Sequence, residues 1–504
     1  MKLSELLTDK ALCRDVTITG ITADSRAVQK GFFFAALPGT QVDGSEYIRT
    51  AIKAGAVAVL CRPDAIPENN GGQDNDDVIW ISDQIPARLF AHIVARYFDK
   101  QPDTIAAVTG TNGKTSVASF TRQIWEYMGH KAGAIGTLGI TAPGKPDGMP
   151  DAAAQATGMT TPDPVTLQSA MSDLCRAGVD HVVFEASSHG LAQYRLDGIN
   201  VSVAAFTNLT RDHYDYHGGR ENYFYAKARL FGEVMKPGSI AVLNADCPIV
   251  MEVADICWAR GHKVITVGQY SGDIRLLRQR TSDVGQEITI SYKSEIYDLM
   301  LPLIGSFQAM NALMAAGLVI GSGGDAVEAF KALSYLKAVP GRMEQAGRHE
   351  TGARVYVDYA HTPEALKTVL ESIRPHTKNK LSVVFGCGGD RDKGKRKIMG
   401  DIAARFADKV YITDDNPRSE RPEVIRAEII SECPKAIEIG DRSEAIAAAV
   451  NALQKGDILL VAGKGHEQGQ IIGGTVRPFD DMSEVRSALA ANNCGNSLNR
   501  SACS

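Results

Sequence analysis

The sequence predicts an α/β protein with three domains, each organised around a mainly parallel sheet. A length of 504 residues corresponds to roughly three domains of about 150 residues each. Strand-like apolar runs alternate with helix-like stretches along the chain, an order typical of parallel sheets with helical crossovers. These strand-like runs are 104–109, 181–185, 201–206, 239–243, 354–358, 381–386, 409–413 and 457–462.

Changes in composition mark the domain boundaries. The segment Asp99–Pro102 precedes a new apolar strand, and the turn-forming segment Val339–Arg342 follows a helix-like stretch, 325–337. The polar run 67–77 is expected to form a solvated loop inside the first domain, and the last residues are small and polar, which favours disorder. The predicted domains are 1–98, 99–338 and 339–491, followed by a disordered tail, 492–504.

Composition argues against a nucleic-acid-binding, a disordered or a membrane-spanning protein. Lys plus Arg number 54 and Asp plus Glu number 59, so the formal net charge of −5 gives no reason to expect a nucleic-acid partner. The apolar content is that of a globular chain rather than a disordered one. The charge-free stretch 299–324 is interrupted by Pro302, so a buried strand, turn and helix explain it better than a membrane span.

The N-terminus and the cysteines indicate the compartment. Charged residues such as Lys2, Glu5 and Lys10 leave no room for the apolar core of a secretory signal. The nine cysteines are odd in number and form no Cys-x-x-Cys pair, which favours reduced thiols. We therefore expect a cytoplasmic protein.

A glycine-rich loop joins strand 104–109 to a helical stretch, 117–128. In this arrangement, backbone amides and the helix N-terminus bind phosphate, the lysine faces the β- and γ-phosphates, and the threonine can ligate Mg²⁺. The spacing departs from GxxxxGK[ST] because Val108 stands at the first glycine position, and an ordinary glycine-rich turn is the alternative. The predicted ATP-binding residues of the loop are Gly110, Thr111, Asn112, Gly113, Lys114, Thr115 and Ser116.

Several ordered motifs resemble those of the Mur ligases, the ATP-dependent enzymes that extend the peptidoglycan stem peptide. The loop TGTNGKTS at 109–116 resembles their nucleotide loop, and the similarity runs from about residue 24 to 467. The central motifs are FEASSHG at 184–190, TNLTRDHYDYH at 207–217 and YAK at 225–227. The later motifs are VDYAHTP at 357–363, FGCGGDR at 385–391, DNPR at 415–418 and GKGHE at 463–467.

The resemblance implies a fold and a reaction. A small N-terminal α/β domain would hold the UDP end of the substrate, a central P-loop-type domain would bind ATP and Mg²⁺, and a Rossmann-like C-terminal domain would bring the amino acid. The carboxylate of a UDP-muramoyl dipeptide would take the γ-phosphoryl group of ATP, and the amine of meso-2,6-diaminopimelate would then displace phosphate. The resemblance also implies a monomer that acts on small molecules without membrane insertion.

The resemblance assigns catalytic groups to the central domain. Glu185, at a strand end, would ligate Mg²⁺ with Thr115, and His213 would serve a second ion. Lys114 would act on the phosphates. Lys227 would carry a carbamate, which replaces a cation that repels the metal with an anion that attracts it. The remaining implied ATP contacts are Asn311, Arg342 and Asp358.

Two groups of residues would bind the UDP-linked substrate. The first-domain group is Ser25, Thr40, Gln41 and Val42. The central-domain group is Thr160, Thr161, Ser187, Gln193 and Arg195. Arg195 can pair with a phosphate or a carboxylate. Met159 stands where the family pattern has asparagine, which removes a polar contact.

The amino-acid site decides the expected substrate. Diaminopimelate carries at its far end both a carboxylate and an ammonium, and lysine lacks that carboxylate. By resemblance, Arg418 would clamp the carboxylate through two hydrogen bonds, Arg391 would add a second guanidinium, and Glu467 would take the ammonium. Lysine-adding relatives lack this arginine. The other implied contacts are Asp415, Asn416, Pro417 and Gly463.

Three other functions stay open from the sequence. A lysine-adding Mur ligase and folylpolyglutamate synthase have similar nucleotide loops, and a nucleotide-dependent switch is a non-enzymatic alternative. The DNPR motif and the first-domain loop Asp24–Arg26 argue against folylpolyglutamate synthase, and the sequence lacks an NKxD motif for base recognition. The basic run 393–397 is interpreted as a charged helix start rather than a nucleic-acid site.

Overall fold

The computed structural model describes residues 1–7, 14–39, 42–66, 78–143 and 159–501, with side chains as far as residue 491. The predicted loop 67–77 and the expected substrate contacts Thr40 and Gln41 lie outside the described residues.

The N-terminal part of the chain forms a small parallel sheet with helices packed around it. Its strands are β1 (Gly20–Thr22), β2 (Phe32–Ala35), β3 (Ala56–Cys61) and β4 (Ile79–Ser82), paired in that order. Its helices are α1 (Leu3–Leu6), α2 (Ile48–Lys53) and α3 (Pro86–Phe98). Proline at the first position suits the start of α3, since that amide has no helical acceptor. The helix ends at Asp99 in the left-handed conformation.

The central part is a ten-stranded sheet covered by helices on both faces. Its strands are β5 (Thr104–Thr109), β6 (Ala132–Gly136), β7 (Gly139–Thr141), β8 (His181–Glu185), β9 (Val203–Phe206), β10 (Ile240–Asn244), β11 (Lys263–Gly268), β12 (Ile274–Thr281), β13 (Gln286–Tyr292) and β14 (Glu295–Leu301). Its helices are α4 (Lys114–Tyr127), α5 (Pro164–Arg176), α6 (Ser188–Ala192), α7 (Tyr214–His217), α8 (Arg220–Arg229), α9 (Val250–Ala259), α10 (Phe307–Gly321) and α11 (Ala326–Ala332). The strand order is β14-β13-β12-β11-β10-β9-β5-β8-β6-β7.

The register of the central sheet places the nucleotide loop. Strand β5 pairs in parallel with β8 and β9, so Val108 lies opposite Glu185 and Thr109 opposite Phe206. The carboxyl ends of these three strands therefore meet at one edge, where open α/β sheets bind their ligands. The stretch 299–324 forms the end of β14, a turn and α10; the turn and the helix agree with the prediction, but β14 is mostly exposed rather than buried.

The C-terminal part is a six-stranded sheet, parallel except at one edge, followed by a hairpin. The sheet strands are β15 (Glu344–Arg348), β16 (Arg354–Asp358), β17 (Leu381–Phe385), β18 (Lys409–Ile412), β19 (Ile437–Glu438) and β20 (Ile458–Ala462), and the hairpin strands are β21 (Gly469–Ile472) and β22 (Thr475–Pro478). The helices are α12 (Pro363–Ile373), α13 (Gly394–Phe406), α14 (Pro422–Ile430), α15 (Arg442–Asn451) and α16 (Asp481–Ser501). The sheet order is β15-β16-β20-β17-β18-β19.

The end of the chain differs from the prediction. Helix α16 continues to Ser501, so the backbone is helical over most of the segment 492–504 that was expected to be disordered, and residues 502–504 lie outside the described part. Buried Val485 and Leu489 anchor the helix on the third sheet. Once a helix is nucleated, each further residue adds one hydrogen bond at low cost, so the helix extends beyond its anchor.

Helices and polar contacts join the three parts. The Ser172 hydroxyl of α5 donates to the Phe98 carbonyl at the end of α3, 3.3 Å away. A salt bridge between Arg211 and Asp392, at 3.2 Å, joins the third part to the central one. Among the described residues, no helix is both long and apolar enough to cross a lipid bilayer.

The stability of the third part depends on a buried ion pair between Arg442 and Asp481. The side chains of Arg442 and Asp481 have no exposed surface, and the guanidinium donates to both carboxylate oxygens at 2.7 and 2.8 Å. Asp481→Asn leaves a buried uncompensated cation, which costs about 3–5 kcal/mol. The free energy of unfolding in urea, followed by circular dichroism, is expected to fall by that amount. The exposed pair Arg405–Asp401 supplies the control, because Asp401→Asn should change stability by less than about 1 kcal/mol. Equal losses in the two variants would contradict the role of burial.

Candidate active site

The loop after β5 has the backbone that a phosphate-binding turn requires. Gly110 has φ +142°, and a Cβ there would lie 1.9 Å from Thr207 Oγ1. The Thr111 and Asn112 amides donate to the Asn208 carbonyl and side chain at 2.9 Å each. These two amides are therefore already bonded, which differs from the expectation that the whole loop points at phosphate. The first amides of a helix have no acceptor within the helix, and in α4 they include those of residues 114–116.

Lys114 and Lys227 converge on one backbone oxygen. The Lys114 ammonium donates to the carbonyls of Gly110 and Thr111 at 2.9 and 2.8 Å. Lys227, on α8, is only 1% exposed and also donates to the Gly110 carbonyl, at 2.8 Å. Burial, and then the charge of Lys114, hold the pKa of Lys227 well below its ordinary value. Burial also lowers the pKa of Lys114.

Thr115 and Glu185 form the oxygen-rich part of the site. The Thr115 hydroxyl donates to Glu185 Oε2 at 3.0 Å, and Glu185 is 3% exposed at the end of β8. Thr137, which the sequence analysis did not single out, donates its amide and hydroxyl to the same carboxylate at 2.8 and 3.1 Å. A hydroxyl and a carboxylate side by side are the ligands that Mg²⁺ prefers, so this pair fits the expected ion.

His213 belongs to a separate group. It adopts φ +52° before α7, and its Nε2 lies 3.3 Å from Asp212 Oδ2. Burial is the largest cause of the lowered pKa of His213, and the charges of Lys114 and Lys227 act in the same direction. In the described residues no recorded bond joins His213 to Thr115 or Glu185. The role of His213 at a second ion stays a prediction.

The predicted central substrate contacts lie together. The Thr161 hydroxyl bonds the Glu185 carbonyl at 2.8 Å and Ser187 Oγ at 2.9 Å. Thr160 joins this group through the Thr137 hydroxyl at 3.3 Å. Arg195 is oriented by Gln193 Oε1 and by the Thr161 carbonyl, the latter at 2.6 Å. These residues therefore surround the end of β8 beside the Thr115–Glu185 pair.

Met159 occupies the position where the family pattern has asparagine. Its sulfur lies 2.9 Å from Arg195 Nη1. The thioether is a weak acceptor, so the guanidinium retains donors for an anionic substrate group. The polar contact removed by methionine is replaced by a weaker one.

The first-domain contacts are only partly described. Ser25 lies in a short turn whose N-cap, Asp24, accepts the Arg26 amide at 2.9 Å. Val42 is 46% exposed, although valine is an apolar residue. Both positions lie on loops of the first domain, as predicted.

Arg342 of the third part extends to the nucleotide loop. Its Nη2 donates to Thr115 Oγ1 at 3.3 Å, and its guanidinium lies 4.4 Å over the Tyr359 ring.

Asp358, expected near ATP, uses one oxygen to accept the Met343 amide at 2.7 Å. Its other oxygen accepts the Ala360 amide at 2.8 Å, and burial raises the pKa of Asp358 to about 6. Asp358 therefore holds the turn that carries Arg342. Asn311 lies next to the loop, its Oδ1 2.7 Å from where a side chain at Gly113 would begin.

The predicted amino-acid contacts follow the carboxyl ends of β17, β18 and β20. Arg418 has φ +53°, and its Nη1 donates to the Gly389 carbonyl at 2.7 Å. Its backbone amide donates to the Ile471 carbonyl of β21 at 3.0 Å. Arg391 is exposed. The pKa of Arg418 is lowered mainly by burial and secondly by the positive charge of Arg391.

A buried lysine organises the acidic side of this site. Lys464 is 0% exposed and donates to Glu467 Oε2 at 3.0 Å and to Asn416 Oδ1 at 3.1 Å. It also lies 4.0 Å from Asp415 Oδ1. Because Lys464 occupies one oxygen of Glu467, the other oxygen is available to a ligand cation. Pro417 and Gly463 flank this group in sequence, and a side chain at Gly463 would begin 2.9 Å from Asp415 Oδ2.

Models of one protein family match three successive parts of the chain between residues 17 and 465. The profile "Mur ligase family, catalytic domain" matches residues 17–98, "Mur ligase middle domain" matches 108–319, and "Mur ligase, glutamate ligase domain" matches 341–465. The chain belongs to the Mur ligase family. It is therefore an ATP-dependent ligase that acts on small molecules, with the three-domain α/β architecture predicted from its sequence.

Individual Mur ligases are similar over nearly the whole chain. A UDP-N-acetylmuramoyl-L-alanyl-D-glutamate–2,6-diaminopimelate ligase of Zymomonas mobilis subsp. mobilis is 50% identical over 94% of this chain and 96% of its own. The protein of the same name from Bradyrhizobium diazoefficiens is 48% identical over 97% and 99%. A solved structure with this name has a TM-score of 0.68 at 31% identity, covering 98% and 99% of the two chains. Mycobacterium tuberculosis folylpolyglutamate synthase shares the fold, with a TM-score of 0.61 at 21% identity over 74% and 90%.

Four residues that contact the predicted site residues were not themselves predicted: Thr137, Asn208, Asp212 and Lys464. Asn208, Asp212 and Lys464 lie inside the quoted motifs, so the motifs themselves were the available signal. Thr137 directly follows Gly136, the end of β6, and that position at the end of a central strand could have indicated it.

The Gly110 geometry predicts a sharp loss of nucleotide affinity on substitution. Gly110→Ala places a Cβ 1.9 Å from Thr207 Oγ1, so the loop or Thr207 must shift and the predicted phosphate-binding groups lose their positions. The affinity for ATP, measured by calorimetry, is expected to fall about tenfold or more, equivalent to about 1.4 kcal/mol. Gly129→Ala is the matched control, since Gly129 also has positive φ, at +90°, but nothing lies within 4 Å of its Cβ position. Comparable losses in both variants would contradict the contact with Thr207.

Proposed function

We propose that this chain joins meso-2,6-diaminopimelate to UDP-N-acetylmuramoyl-L-alanyl-D-glutamate, with conversion of ATP to ADP and phosphate. The observation that carries the proposal is the presence of a guanidinium, Arg418, and a carboxylate, Glu467, after the carboxyl ends of β18 and β20. The Arg418 amide donates to the Ile471 carbonyl at 3.0 Å, the Ile471 amide donates to Asn416 Oδ1 at 2.9 Å, and the Asn416 side-chain amide donates to Glu467 Oε2 at 3.0 Å. Together Arg418 and Glu467 complement the carboxylate and the ammonium at the far end of diaminopimelate.

The remaining residues fit the two chemical steps. In the first step the substrate carboxylate attacks the γ-phosphorus of ATP, and in the second an amine displaces phosphate from the acyl phosphate. Both steps concentrate negative charge, so cations aimed at that charge lower the barrier. Lys114 lies over the loop, Arg342 brings a guanidinium from the third domain, and Arg195 stands on the substrate side.

Thr115 and Glu185 are the proposed Mg²⁺ ligands, and His213 is the proposed contact of a second ion. The ion neutralises phosphate charge when it is bound. Glu185 is held for this role by Thr137, whose two hydrogen bonds orient the carboxylate toward Thr115. Asp212 is proposed to orient His213, because its Oδ2 lies 3.3 Å from His213 Nε2.

Lys227 is proposed to react with CO₂. Carbamate formation needs a neutral amine, and burial together with the charge of Lys114 favours that form of Lys227 by lowering its pKa. The product is an anion, which would relieve the repulsion between two buried cations at the Gly110 carbonyl.

We also propose that the protein works as a monomer in the cytoplasm. Six described cysteines, Cys61, Cys175, Cys247, Cys257, Cys387 and Cys433, are free thiols. Burial raises the pKa of Cys61 to about 11 and that of Cys387 to about 12, which suits unreactive thiols in a reducing compartment.

An ADP-release assay with the UDP-dipeptide tests the substrate. Diaminopimelate is expected to support rapid turnover, and lysine only slow turnover because it leaves Arg418 without a carboxylate. Equal rates with the two amino acids would overturn the choice of diaminopimelate. Without any amino acid, steady release of ADP would instead favour a nucleotide switch.

Arg418→Ala tests the clamp itself. Loss of a charge-assisted pair worth about 1.5–3 kcal/mol should raise the KM for diaminopimelate by about 10- to 150-fold, while the KM for ATP stays the same. Arg421→Ala is the matched control, because Arg421 lies three positions away with a side chain 82% exposed. An unchanged diaminopimelate KM in Arg418→Ala would refute the clamp.

Removal of CO₂ tests the modified lysine. In bicarbonate-free buffer the activity is expected to decline and to return when bicarbonate is added. It should also decline as the pH falls, since protonation of the amine releases CO₂. A ¹³C NMR signal from labelled bicarbonate, absent in Lys227→Met, would identify the site. Full activity without CO₂ would exclude the carbamate.

A further inference from the structure

Three potential metal ligands lie together outside the active site. His130 follows the end of α4, and Asp180 and His181 stand at the start of β8. The opposite ends of the same two elements carry the nucleotide loop and Glu185. Because α4 has 14 residues, its length of about 21 Å separates this cluster from the loop. The residues of the ligase reaction therefore do not account for the cluster.

The three side chains bring their ligand atoms together. His181 Nδ1 is hydrogen-bonded to Asp180 Oδ1 at 2.9 Å, and His130 Nδ1 lies 3.7 Å from the other carboxylate oxygen, Oδ2. One ligand atom from each residue falls within 4.8 Å of the others. Ligand atoms about 2.0–2.1 Å from a tetrahedral zinc ion stand about 3.3 Å apart, so small rotations of the side chains would bring one oxygen and both nitrogens onto a single ion.

The backbone holds the three residues in place before any ion binds. The Asp180 amide donates to the Lys131 carbonyl at 3.0 Å, and the His130 amide donates to the Trp125 carbonyl at 3.0 Å. The His130 and His181 rings lie 4.0 Å apart, and the His181 ring packs 4.9 Å from that of Trp125. Preorganised ligands lose little conformational entropy on binding, which favours affinity.

Charge and exposure also suit a cation. The side chains of His130 and Asp180 are 37% and 40% exposed, so an ion can enter and keep a water molecule as its fourth ligand. Asp103 adds a second negative charge whose field reaches His181. Lys131 also lies in this region, but its side chain extends toward Gly178.

We propose that His130, Asp180 and His181 bind one divalent transition-metal ion of the zinc class. Two imidazole nitrogens and one carboxylate oxygen select Zn²⁺, Co²⁺ or Ni²⁺ over Mg²⁺, whose preferred ligands are oxygens. The ion would link the end of α4 to the start of β8 and stabilise the central domain. This site is independent of the proposed function and of the Mg²⁺ ligands beside the nucleotide loop.

Calorimetric titration of the full-length, EDTA-treated protein with Zn²⁺, in excess Mg²⁺, tests the site. The wild type should bind one ion that His130→Ala loses. Removal of an outer-shell partner lowers metal affinity about 10- to 100-fold, and removal of the ligand His130 should lower the Zn²⁺ affinity by more than that. His92→Ala is the matched control, because His92 is a partly exposed histidine on α3 that also faces an aspartate, Asp197. Equal Zn²⁺ affinity in the wild type and His130→Ala would overturn the proposal.

Trp125 provides a local readout that distinguishes this site from ions bound elsewhere. Cu²⁺ is a paramagnetic quencher, so its binding beside His181 should quench the fluorescence of Trp125. Quenching should disappear in His130→Ala and in Trp125→Phe, while ligase activity with Mg²⁺ and ATP stays unchanged in His130→Ala. Quenching that persists in His130→Ala would place the ion elsewhere and refute the site.

Discussion

Two lysine side chains meet at the carbonyl oxygen of Gly110, and the rest of the central site is arranged around that contact. Gly110 can present this oxygen only because it has no side chain, since Thr207 fills the adjacent space. Two buried cations repel each other, so the arrangement favours a neutral Lys227 and an anionic ligand beside Lys114. The pair therefore links the shape of the loop to both the binding of phosphate and the proposed carbamate.

The third domain completes the site from the other side. Arg342 contacts Thr115 from a turn that buried Asp358 holds by two backbone hydrogen bonds. In the same domain, Lys464 fixes Asn416 and Glu467, and the hairpin strand β21 fixes the Arg418 backbone. Rigid support of this kind limits the freedom of the groups proposed to contact the amino acid, which favours selection between substrates that differ by one carboxylate.

Much of the fold could be predicted because parallel strands covered on both faces are continuous apolar runs. The runs 104–109, 181–185 and 354–358 coincide with the observed strands. The strands β12 and β13 were not predicted, because each has exposed residues and depends on its neighbour for pairing. The helical end of α16 was also missed, since its anchoring by Val485 and Leu489 is a tertiary effect.

The sequence by itself determined the family, the order of the domains and the motifs that follow each strand, because local composition and residue order encode these features. Only the tertiary structure decided which of these residues contact each other. It placed Arg342 on Thr115, Lys227 on Gly110 and Lys464 between Asn416 and Glu467. These contacts join residues distant in sequence or depend on burial, and the energy of a buried charge is set by what surrounds it in space.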